Sequence, residues 1–432
     1  MILKNKQEIS WQEPINLAQK IAYSSCGGNW CFLYSGLNDQ IANSKSYIAL
    51  FPQEEIVGDD FAVFEDNLKE NCRYFGYFSY GLKNDLENLP QDEDFLINLP
   101  NLWLMNFAAI LEFDHDSKKL IQFCAPNYEE KLSKIINSVL RANDFSVKIE
   151  NLQSNFSKEE YLQKVKRVQE HIVDGDIYQA NLTRKFFGKF TQKPQDDFDI
   201  FIELSKKSPA NYSCFLKLDE YSVISSSPEL FLKIDADGKV ISSPIKGTAP
   251  RADDDFLDRK LKTELQNSPK EQAENLMIVD LVRNDLSRHC QAASVKVKGL
   301  FKASSYKTVH HLSSDICAVK NKNSSNLDIV KACFPPGSMT GAPKIKAMEI
   351  CSELEKHKRG IYSGAIGFFD QNECHLNVVI RTLIIKGNVF EFQVGGAITF
   401  DSDPEAEWGE TLNKAKGIVD CLGIQKKYLE NL

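Results

Sequence analysis

The chain has 432 residues, of which 42% are hydrophobic and 26% are charged. This length allows two or three domains, and the composition excludes low-complexity, collagen-like and disulfide-stapled classes of protein. The formal net charge is −8 with no long block of one sign, which argues against nucleic-acid binding as the main function. A small anionic substrate would therefore need a locally positive pocket.

The cysteines and the N-terminal residues indicate a cellular compartment. Residues 1–8 contain lysines that no apolar segment follows, so we expect no secretory signal. No stretch approaches 18 consecutive apolar residues, which argues against a membrane-spanning helix. The 11 cysteines are scattered without a C-x-x-C pair, as buried free thiols are in a reducing cytoplasm. The sequence thus predicts a cytoplasmic protein without thiolate metal sites.

The local composition of the chain changes along its length. Residues 1–125 contain short aromatic and apolar runs separated by turn residues, which predict strands joined by turns. We interpret this part as an N-terminal lobe. Residues 126–157 are polar and hold one short amphipathic segment, so we interpret them as a linker. Residues 158–432 are expected to form the main region, and the chemical signals described below lie in it.

Three helices in that region have clear start signals. Ser157 and Glu160 have the spacing of a capping box, and a second helix begins with Ser268 as N-cap before a proline. A third helix begins at Asp403, again before a proline, and is expected to run to about Val419. Between these helices, strand-like runs are predicted at 221–225, 230–234, 364–369, 377–385 and 389–394.

Paired carboxylates on two of these helices are the first chemical signal. Glu271 and Glu274 are three residues apart, as are Glu407 and Glu410, and Lys414 follows four residues after Glu410. Such pairs share one helical face. Together they could hold a hard divalent cation such as Mg²⁺, which prefers oxygen ligands. The alternative is a solvated charged face with an ordinary ion pair.

Single chemically active residues come next. Lys246 lies between Pro-Ile and a glycine turn, where burial would favour the neutral amine, a nucleophile or base. A surface lysine is the commoner case. Glu229 ends a strand beside apolar neighbours and could be a general acid, or merely an edge residue. The pair His310 and His311 is a weak signal, since packed histidines are more common.

Glycine turns supply possible anion sites. The segment Gly337 to Lys344 lacks the Gly-Lys-Ser/Thr of a nucleotide loop, so we interpret it as a tight turn whose amides can face an anion. Gly395 and Gly396 follow a predicted strand and allow the backbone to approach a ligand closely. Arg381, with Tyr362 on a neighbouring segment, is a natural partner for a carboxylate.

Taken in order, these segments resemble the chorismate-utilising enzymes, specifically component I of the anthranilate synthase and aminodeoxychorismate synthase group. The resemblance is dense over 170–420 and looser in the N-terminal lobe. It implies an α+β fold of two facing, mostly antiparallel sheets with helices packed outside. The segments that carry it are 176–182, 227–231, 244–248, 274–285, 309–312, 337–344, 380–383 and 405–411.

Two positions discriminate among members of this family. Members that add water to chorismate have a lysine base where this chain has Gln179, and members that add ammonia have glutamine. Among the latter, anthranilate synthases usually read Pro-Ile-Ala-Gly-Thr where this chain reads Pro-Ile-Lys-Gly-Thr around Lys246. The lysine form is typical of aminodeoxychorismate synthases, which make 4-amino-4-deoxychorismate for 4-aminobenzoate and folate synthesis.

The resemblance also implies roles for the chemically active residues. Lys246 would attack C2 of chorismate as the C4 hydroxyl leaves, Glu229 would protonate that hydroxyl, and ammonia would then displace the lysine. His311 and Thr340 would lie near C4. Mg²⁺ would be held by Glu274 and Glu410, with Glu271 and Glu407 nearby or acting through water.

Substrate binding is implied at both ends of chorismate. The enolpyruvyl carboxylate would be held by Arg381, Tyr362, Gly395 and Gly396, and the ring carboxylate by Lys414 and the Gly337 turn. The family usually has glycine in place of Ala397, in a turn near the substrate, so a methyl group is added there.

The partners and the alternatives follow from what the chain lacks. We find no Gly-x-Cys-x-Gly nucleophile turn of a glutamine amidotransferase, so ammonia is expected from a separate glutaminase subunit. No pyridoxal-phosphate lyase segment is recognisable either. The alternatives are an anthranilate synthase that carries lysine at position 246, or a catalytically silent binding protein of the same fold. The intact set of acid, lysine, histidine and carboxylate residues argues against the silent protein.

Overall fold

The computed structural model describes residues 6–24, 28–37, 44–93, 96–140, 145–306, 309–425 and 429. The helices of this part are α1 Pro14–Ala22, α2 Phe61–Asn67, α3 Lys83–Leu86, α4 Glu129–Ile136, α5 Lys158–Val173, α6 Phe198–Lys207, α7 Asp255–Asn267, α8 Pro269–Ser287, α9 Asn326–Cys333, α10 Lys344–Glu355 and α11 Pro404–Cys421. The strands are β1 Lys6–Ile9, β2 Trp30–Tyr34, β3 Lys45–Gly58, β4 Tyr74–Phe78, β5 Leu102–Asp114, β6 Lys119–Cys124, β7 Lys148–Ser154, β8 Gln179–Gln192, β9 Tyr212–Leu218, β10 Tyr221–Ser227, β11 Leu230–Ile234, β12 Lys239–Ser243, β13 Ile245–Pro250, β14 Lys296–Ser305, β15 Val309–Val319, β16 Gly341–Ala342, β17 Ala365–Phe369, β18 Cys374–Val378, β19 Thr382–Lys386 and β20 Val389–Ile398.

The described strands form one connected network of antiparallel ladders. Its main path runs β7-β8-β20-β19-β10-β9-β2-β3-β5-β4-β17-β18-β11-β12-β15-β14. Three short branches complete it: β13 lies beside β12 on the same edge of β15, β16 pairs with β8, and β6 joins β1 to β5. The predicted α+β class is confirmed.

Hydrogen bonds join the predicted N-terminal lobe to the rest of the chain. β2 pairs with β9 and β4 pairs with β17. The predicted linker contains α4 and also β7, which pairs with β8. The ladders therefore continue across both predicted boundaries, and the division at 125 and 157 stays a prediction.

Two large apolar cores hold the helices on the sheet. One contains buried residues of α1, α5, α6 and α11, among them Trp408, packed with β8 and β20. The other contains Leu286 of α8 and residues of α9 packed with β11 and β15. Burying an apolar side chain such as that of Leu286 stabilises the fold by about 1.5–3 kcal/mol. The cores thus fix α8 and α11, the two helices that carry the paired carboxylates.

The start signals of three helices are confirmed. The capping box of Ser157 and Glu160 begins α5, Ser268 caps α8, and Asp403 caps α11. The sequence also predicts β11 with its observed bounds, Leu230–Ile234. These elements are specified by neighbouring residues, because a cap hydrogen bond joins residues only two or three positions apart.

Two strand predictions differ from the structure in their bounds. The predicted strand 377–385 is divided into β18 and β19, because Arg381 has a φ of 50° and the chain changes partner strands there. The strand predicted at 389–394 does not end at Val394. It continues to Ile398, so Gly395 and Gly396 lie inside β20 and Ala397 pairs with Asn181 instead of forming a turn.

The described residues also test the predictions about membrane-spanning helices and cysteines. None of the described helices is long and apolar enough to cross a membrane. The ten described cysteines are buried free thiols, as predicted for them. Cys26 lies outside the described residues.

Candidate active site

Lys246 lies in a bulge of β13. Ile245 pairs with Ser313 and Thr248 pairs with His311, so the register shifts across the two residues between them. Gly247 supplies the bulge with a φ of 90°, a conformation that side chains larger than hydrogen resist. Bulges re-aim a side chain out of the ladder pattern, and here the residue re-aimed is the lysine.

The surroundings of Lys246 favour its neutral amine. Burial lowers the pKa of Lys246, while the carboxylate of Glu274 opposes that shift. Lys414 adds to the lowering, and Glu229 and Glu410 oppose it. The groups that face the lysine therefore come from α8, α11 and the β10–β11 connection. A lowered pKa makes the neutral, nucleophilic amine of a lysine easier to form.

Glu229 is the buried acid of the site. It lies between β10 and β11, is 4% exposed and accepts a hydrogen bond from Ser338. Burial raises the pKa of Glu229 to about 7, against the opposing effects of Ser338 and Lys246. A carboxyl group with a pKa near the working pH can donate and recover a proton efficiently.

Three predicted residues lie at the Glu229 end of the site. His311 is buried, and its Nδ1 lies 3.0 Å from the hydroxyl oxygen of Thr248. Burial, with Arg381 nearby, lowers the pKa of His311 to about 3, so the imidazole is neutral. Arg381 faces Glu229, and burial lowers its pKa. Burial raises the pKa of Tyr362, which also faces Glu229.

The paired carboxylates of α8 and α11 form the other end. Glu271 of α8 lies so close to β13 that a Cβ at Gly247 would stand 2.7 Å from its Oε2. Likewise, a Cβ at Gly396 would stand 3.0 Å from Oε2 of Glu407 and 3.8 Å from Oε1 of Glu410. Glycine at both positions lets the strands approach the carboxylates. The structure thus places Gly396 beside the acids.

These carboxylates repel one another in a partly buried space. Burial raises the pKa values of Glu271, Glu274 and Glu407, and the neighbouring carboxylates raise them further. Glu410 differs. Burial alone would raise its pKa, but the pKa falls because Lys414 Nζ lies 2.5 Å from Oε1 of Glu410. Lys414 also donates a hydrogen bond to the Gly395 carbonyl at 2.8 Å. Its ammonium therefore binds both the Glu410 carboxylate and the backbone of β20.

The residues fit a divalent cation, although they do not enclose one as they stand. In the described part of the chain, no three His, Cys, Asp or Glu side chains are placed to hold a metal ion. However, Glu407 is 4% exposed and its Oε2 has no hydrogen-bond partner in the described structure. A buried carboxylate oxygen without a partner is costly. A hard cation would satisfy this oxygen and reduce the repulsion among the acids.

The turn after Gly337 is fixed against β8. The backbone N–H of Asn181 donates to the Thr340 carbonyl at 2.8 Å, and β16 pairs with Gln179 and Ala180. Gln179 is buried, and its Oε1 has no hydrogen-bond partner in the described structure. Thr340 and Gln179 therefore lie on adjoining segments.

Sequence reasoning missed the residue that anchors this turn. Arg359 is buried, binds both carboxylate oxygens of Glu355 at 2.8 Å, and donates to the carbonyls of Met339 and Asn181 at 2.9 and 2.7 Å. The only signal was the i,i+4 spacing of Glu355 and Arg359, which is also common on helix surfaces. Ser338, which donates to Glu229, was missed as well.

Comparison with known proteins identifies relatives over most of the chain. The protein-family model of chorismate binding enzymes matches residues 19–420. A probable chloroplastic aminodeoxychorismate synthase of Oryza sativa subsp. japonica is 40% identical over 332 residues, 75% of this chain and 36% of that protein. Aminodeoxychorismate synthase component 1 of Escherichia coli K12 is 36% identical over 80% of this chain and 76% of its own.

Anthranilate synthases are similar to nearly the same degree. Anthranilate synthase component 1 of Lactococcus lactis is 33% identical over 80% of this chain and 77% of its own. The crystal structure of anthranilate synthase component I from Streptococcus pneumoniae superposes with a TM-score of 0.77 at 27% identity, covering 88% of this chain and 93% of that one. This chain spans about a third of the rice protein and about three quarters of the two bacterial proteins compared by sequence.

Proposed function

Because this chain belongs to the family of chorismate binding enzymes, we propose that it is an aminodeoxychorismate synthase component that converts chorismate and ammonia into 4-amino-4-deoxychorismate. The observation that carries the proposal is Lys246. Its backbone bulges from β13, its pKa is lowered by burial, and it faces both Glu229 and Glu274. The similarity to the rice and E. coli synthases supports the same assignment.

The lysine and the acid divide the chemistry between them. Lys246 Nζ forms a bond to C2 of chorismate, the two conjugated ring double bonds shift, and the C4–O bond breaks. Glu229 gives its proton to the departing oxygen, which leaves as water. Its pKa of about 7 keeps much of the acid protonated at neutral pH.

The second displacement restores both groups. Ammonia forms a bond to C4, the two ring double bonds shift back, and the C2–N bond to Lys246 breaks with its electron pair returning to the lysine nitrogen. The Glu229 carboxylate accepts a proton released from the incoming nitrogen. Because the amine of Lys246 and the acid of Glu229 are both regenerated, neither needs an external proton source.

The remaining side chains orient the substrate. The neutral His311 imidazole, held by Thr248, provides a hydrogen-bonding group near C4 without adding charge. The guanidinium of Arg381 and the hydroxyl of Tyr362 are suited to hold the enolpyruvyl carboxylate. Lys414 is suited to the ring carboxylate, since its ammonium lies at the end of the site with the paired acids.

Glu274 and Glu410 would hold Mg²⁺, with Glu271 and Glu407 nearby or acting through water. The ion, when bound, would draw electron density from the ring carboxylate and its conjugated system. The protein's own contribution is to keep four carboxylates on two fixed helices. The raised pKa values of Glu271, Glu274 and Glu407 support this assignment, because they mean that neighbouring positive charges only partly compensate these three carboxylates.

Ammonia and the product's fate involve other proteins. We propose that a glutamine amidotransferase subunit supplies the ammonia and that the product enters 4-aminobenzoate and folate synthesis in the cytoplasm. This chain matches 36% of the rice synthase. The rest of that polypeptide therefore consists of segments that this chain does not match.

Anthranilate synthase is the second candidate, favoured by the Lactococcus and Streptococcus relatives. The two activities differ in product. An anthranilate synthase would release fluorescent anthranilate and pyruvate, whereas the proposed enzyme would release the amino-substituted ring with its enolpyruvyl group intact. Product analysis therefore separates them directly.

The test compares wild type with Lys246→Ala in chorismate, Mg²⁺ and ammonium. We expect wild type to form 4-amino-4-deoxychorismate, and quenched protein to show a chorismate-derived mass on the peptide that contains Lys246. Lys246→Ala is expected to lose the adduct and most turnover, while Lys260→Ala, an exposed lysine on α7, should retain both. Full synthesis by Lys246→Ala would overturn the covalent mechanism, and anthranilate from wild type would establish the second candidate.

A further inference from the structure

A cluster of hydrogen bonds closes the end of β13 beyond the lysine bulge. Asp258, in the first turn of α7, accepts two bonds from the guanidinium of Arg251 at 2.8 and 2.9 Å and one from the Ala252 backbone N–H at 3.0 Å. His310 Nε2 lies 3.0 Å from the same carboxylate. We name Arg251, Ala252, Asp258 and His310 the Asp258 clasp.

The clasp contacts the face of β15 that is opposite His311. His310 and His311 are neighbours in β15, so their side chains point to opposite faces. His311 contacts Thr248, while the buried His310 contacts Asp258 and, through Nδ1, Ser305 at 3.0 Å. The clasp therefore contacts β15 on the side opposite the His311 side chain.

The clasp also fixes the register of β13. Upstream of the bulge Ile245 pairs with Ser313, and beyond it Thr248 pairs with His311, one position out of step. Regular pairing from Ile245 would place Thr248 opposite His310 and would remove the bulge. Because Asp258 binds both the chain after β13 and His310 of β15, that one-residue slip would break the clasp. A slip of one residue turns side chains to the other face of a sheet.

We propose that Asp258 and His310 are positioning residues for Lys246, because they hold β13 in the bulged register that aims the lysine into the site. The consequence for turnover rests on the proposed function, whereas the consequence for the lysine's surroundings does not. Two further contacts strengthen the clasp: Arg251 also donates to the Tyr306 carbonyl, and the Tyr306 ring lies 5.5 Å from that of His311.

The test follows Lys246 directly as well as through catalysis. Asp258→Asn keeps the side-chain shape and removes the charge that binds Arg251. Asp255→Asn, on an exposed residue of the same helix, makes the same change without touching the clasp. Each protein is labelled with trinitrobenzenesulfonate without chorismate over a range of pH, and the labelled Lys246 peptide is quantified by mass spectrometry. Turnover and thermal unfolding are measured in parallel.

In Asp258→Asn we expect the pH midpoint of Lys246 labelling to rise towards that of an ordinary lysine, because the amine leaves its buried surroundings. We expect kcat to fall about 100-fold, with a smaller change in KM, because the nucleophile is misplaced. Asp255→Asn should match wild type. A loss of thermal stability with an unchanged labelling midpoint would overturn the proposal, since the clasp would then be structural only.

Variants of His310 give a second, independent comparison. His310→Gln keeps a donor near the position of Nε2 and should preserve the wild-type labelling midpoint, while His310→Ala should shift it. Equal midpoints in these two variants would also overturn the proposal. If wild type makes no 4-amino-4-deoxychorismate but the midpoints shift as expected, the proposed function fails and the positioning role stands.

Discussion

Glu229 is a carboxyl group held where its charge is disfavoured, and this has a consequence for stability as well as for catalysis. Burial raises its pKa to about 7 in the folded protein, compared with about 4.3 in an unfolded chain. The folded state therefore binds this proton more tightly than the unfolded state. Stability from this group is fully present below about pH 4 and is lost as the pH rises towards 7.

The corresponding variant, Glu229→Gln, cannot lose a proton and escapes that loss. We expect it to be more stable than wild type by about 2–4 kcal/mol at pH 8, with the difference vanishing near pH 4, since each pKa unit corresponds to about 1.4 kcal/mol. It should also lose at least about 100-fold in turnover, as expected for removing a general acid. Urea unfolding at several pH values measures the stability difference.

The control for this prediction is Glu70→Gln, a substitution at an exposed residue. Its stability relative to wild type should change little with pH. A pH-independent difference between wild type and Glu229→Gln would contradict the assignment of a raised pKa. A gain in stability coupled to a loss of activity is the trade-off typical of strained catalytic groups.

At the scale of elements, the bulge of β13 depends on Gly247. Its φ of 90° disfavours any larger residue, and a Cβ would stand 2.7 Å from Oε2 of Glu271. Gly247→Ala should lose about 1–3 kcal/mol of stability and should lose most activity, because the bulge or Glu271 must move. Gly238→Ala is the matched control: Gly238 has a φ of 75°, but its Cβ would meet only Lys320 at 3.5 Å.

Chemical denaturation and steady-state kinetics of both variants check this prediction. We expect the control to show a stability loss from its backbone conformation and to retain turnover. Comparable activity in Gly247→Ala and wild type would show that the bulge tolerates a side chain. It would also show that turnover does not require the close approach of Glu271 to β13.

The same scale shows which parts of the fold the sequence could predict. The caps at Ser157, Ser268 and Asp403 were predictable because each is a contact between near neighbours in the chain. The break at Arg381 was not, because apolar residues continue on both sides of it and the change of partner strands is a tertiary event. Periodicity reports burial, and it does not report which strand lies alongside.

The candidate site shows the same limit. Lys246, Glu229 and the paired glutamates were found from unusual neighbours or helical spacing, together with a family resemblance. Arg359 was missed because the groups through which it anchors the turn are the backbone carbonyls of Met339 and Asn181, which have no residue signature. Contacts to the backbone across many residues become visible only when the chain is folded.

At the scale of the whole molecule, the site is assembled from parts that belong to different cores. The acids of α8 are held by a core that includes Leu286, and those of α11 by a core that includes Trp408. Bringing four carboxylates together costs folding free energy, because like charges in a partly buried space repel. A cation bound at this place would offset that cost and would link the two cores through the helices.

Binding of Mg²⁺ should therefore stabilise the folded chain without substrate. At 100 times its dissociation constant, a ligand that binds only the folded state adds about 2.7 kcal/mol, so we expect the chelator-treated protein to melt at a higher temperature when Mg²⁺ is added. Because burial raises the pKa values of Glu271, Glu274 and Glu407, the ion competes with protons for these carboxylates, and the shift should become smaller as the pH is lowered. Glu274→Gln should reduce the shift, and Glu264→Gln on the exposed side of α7 should not. A Glu274→Gln protein that keeps the full, pH-dependent shift would place the cation elsewhere.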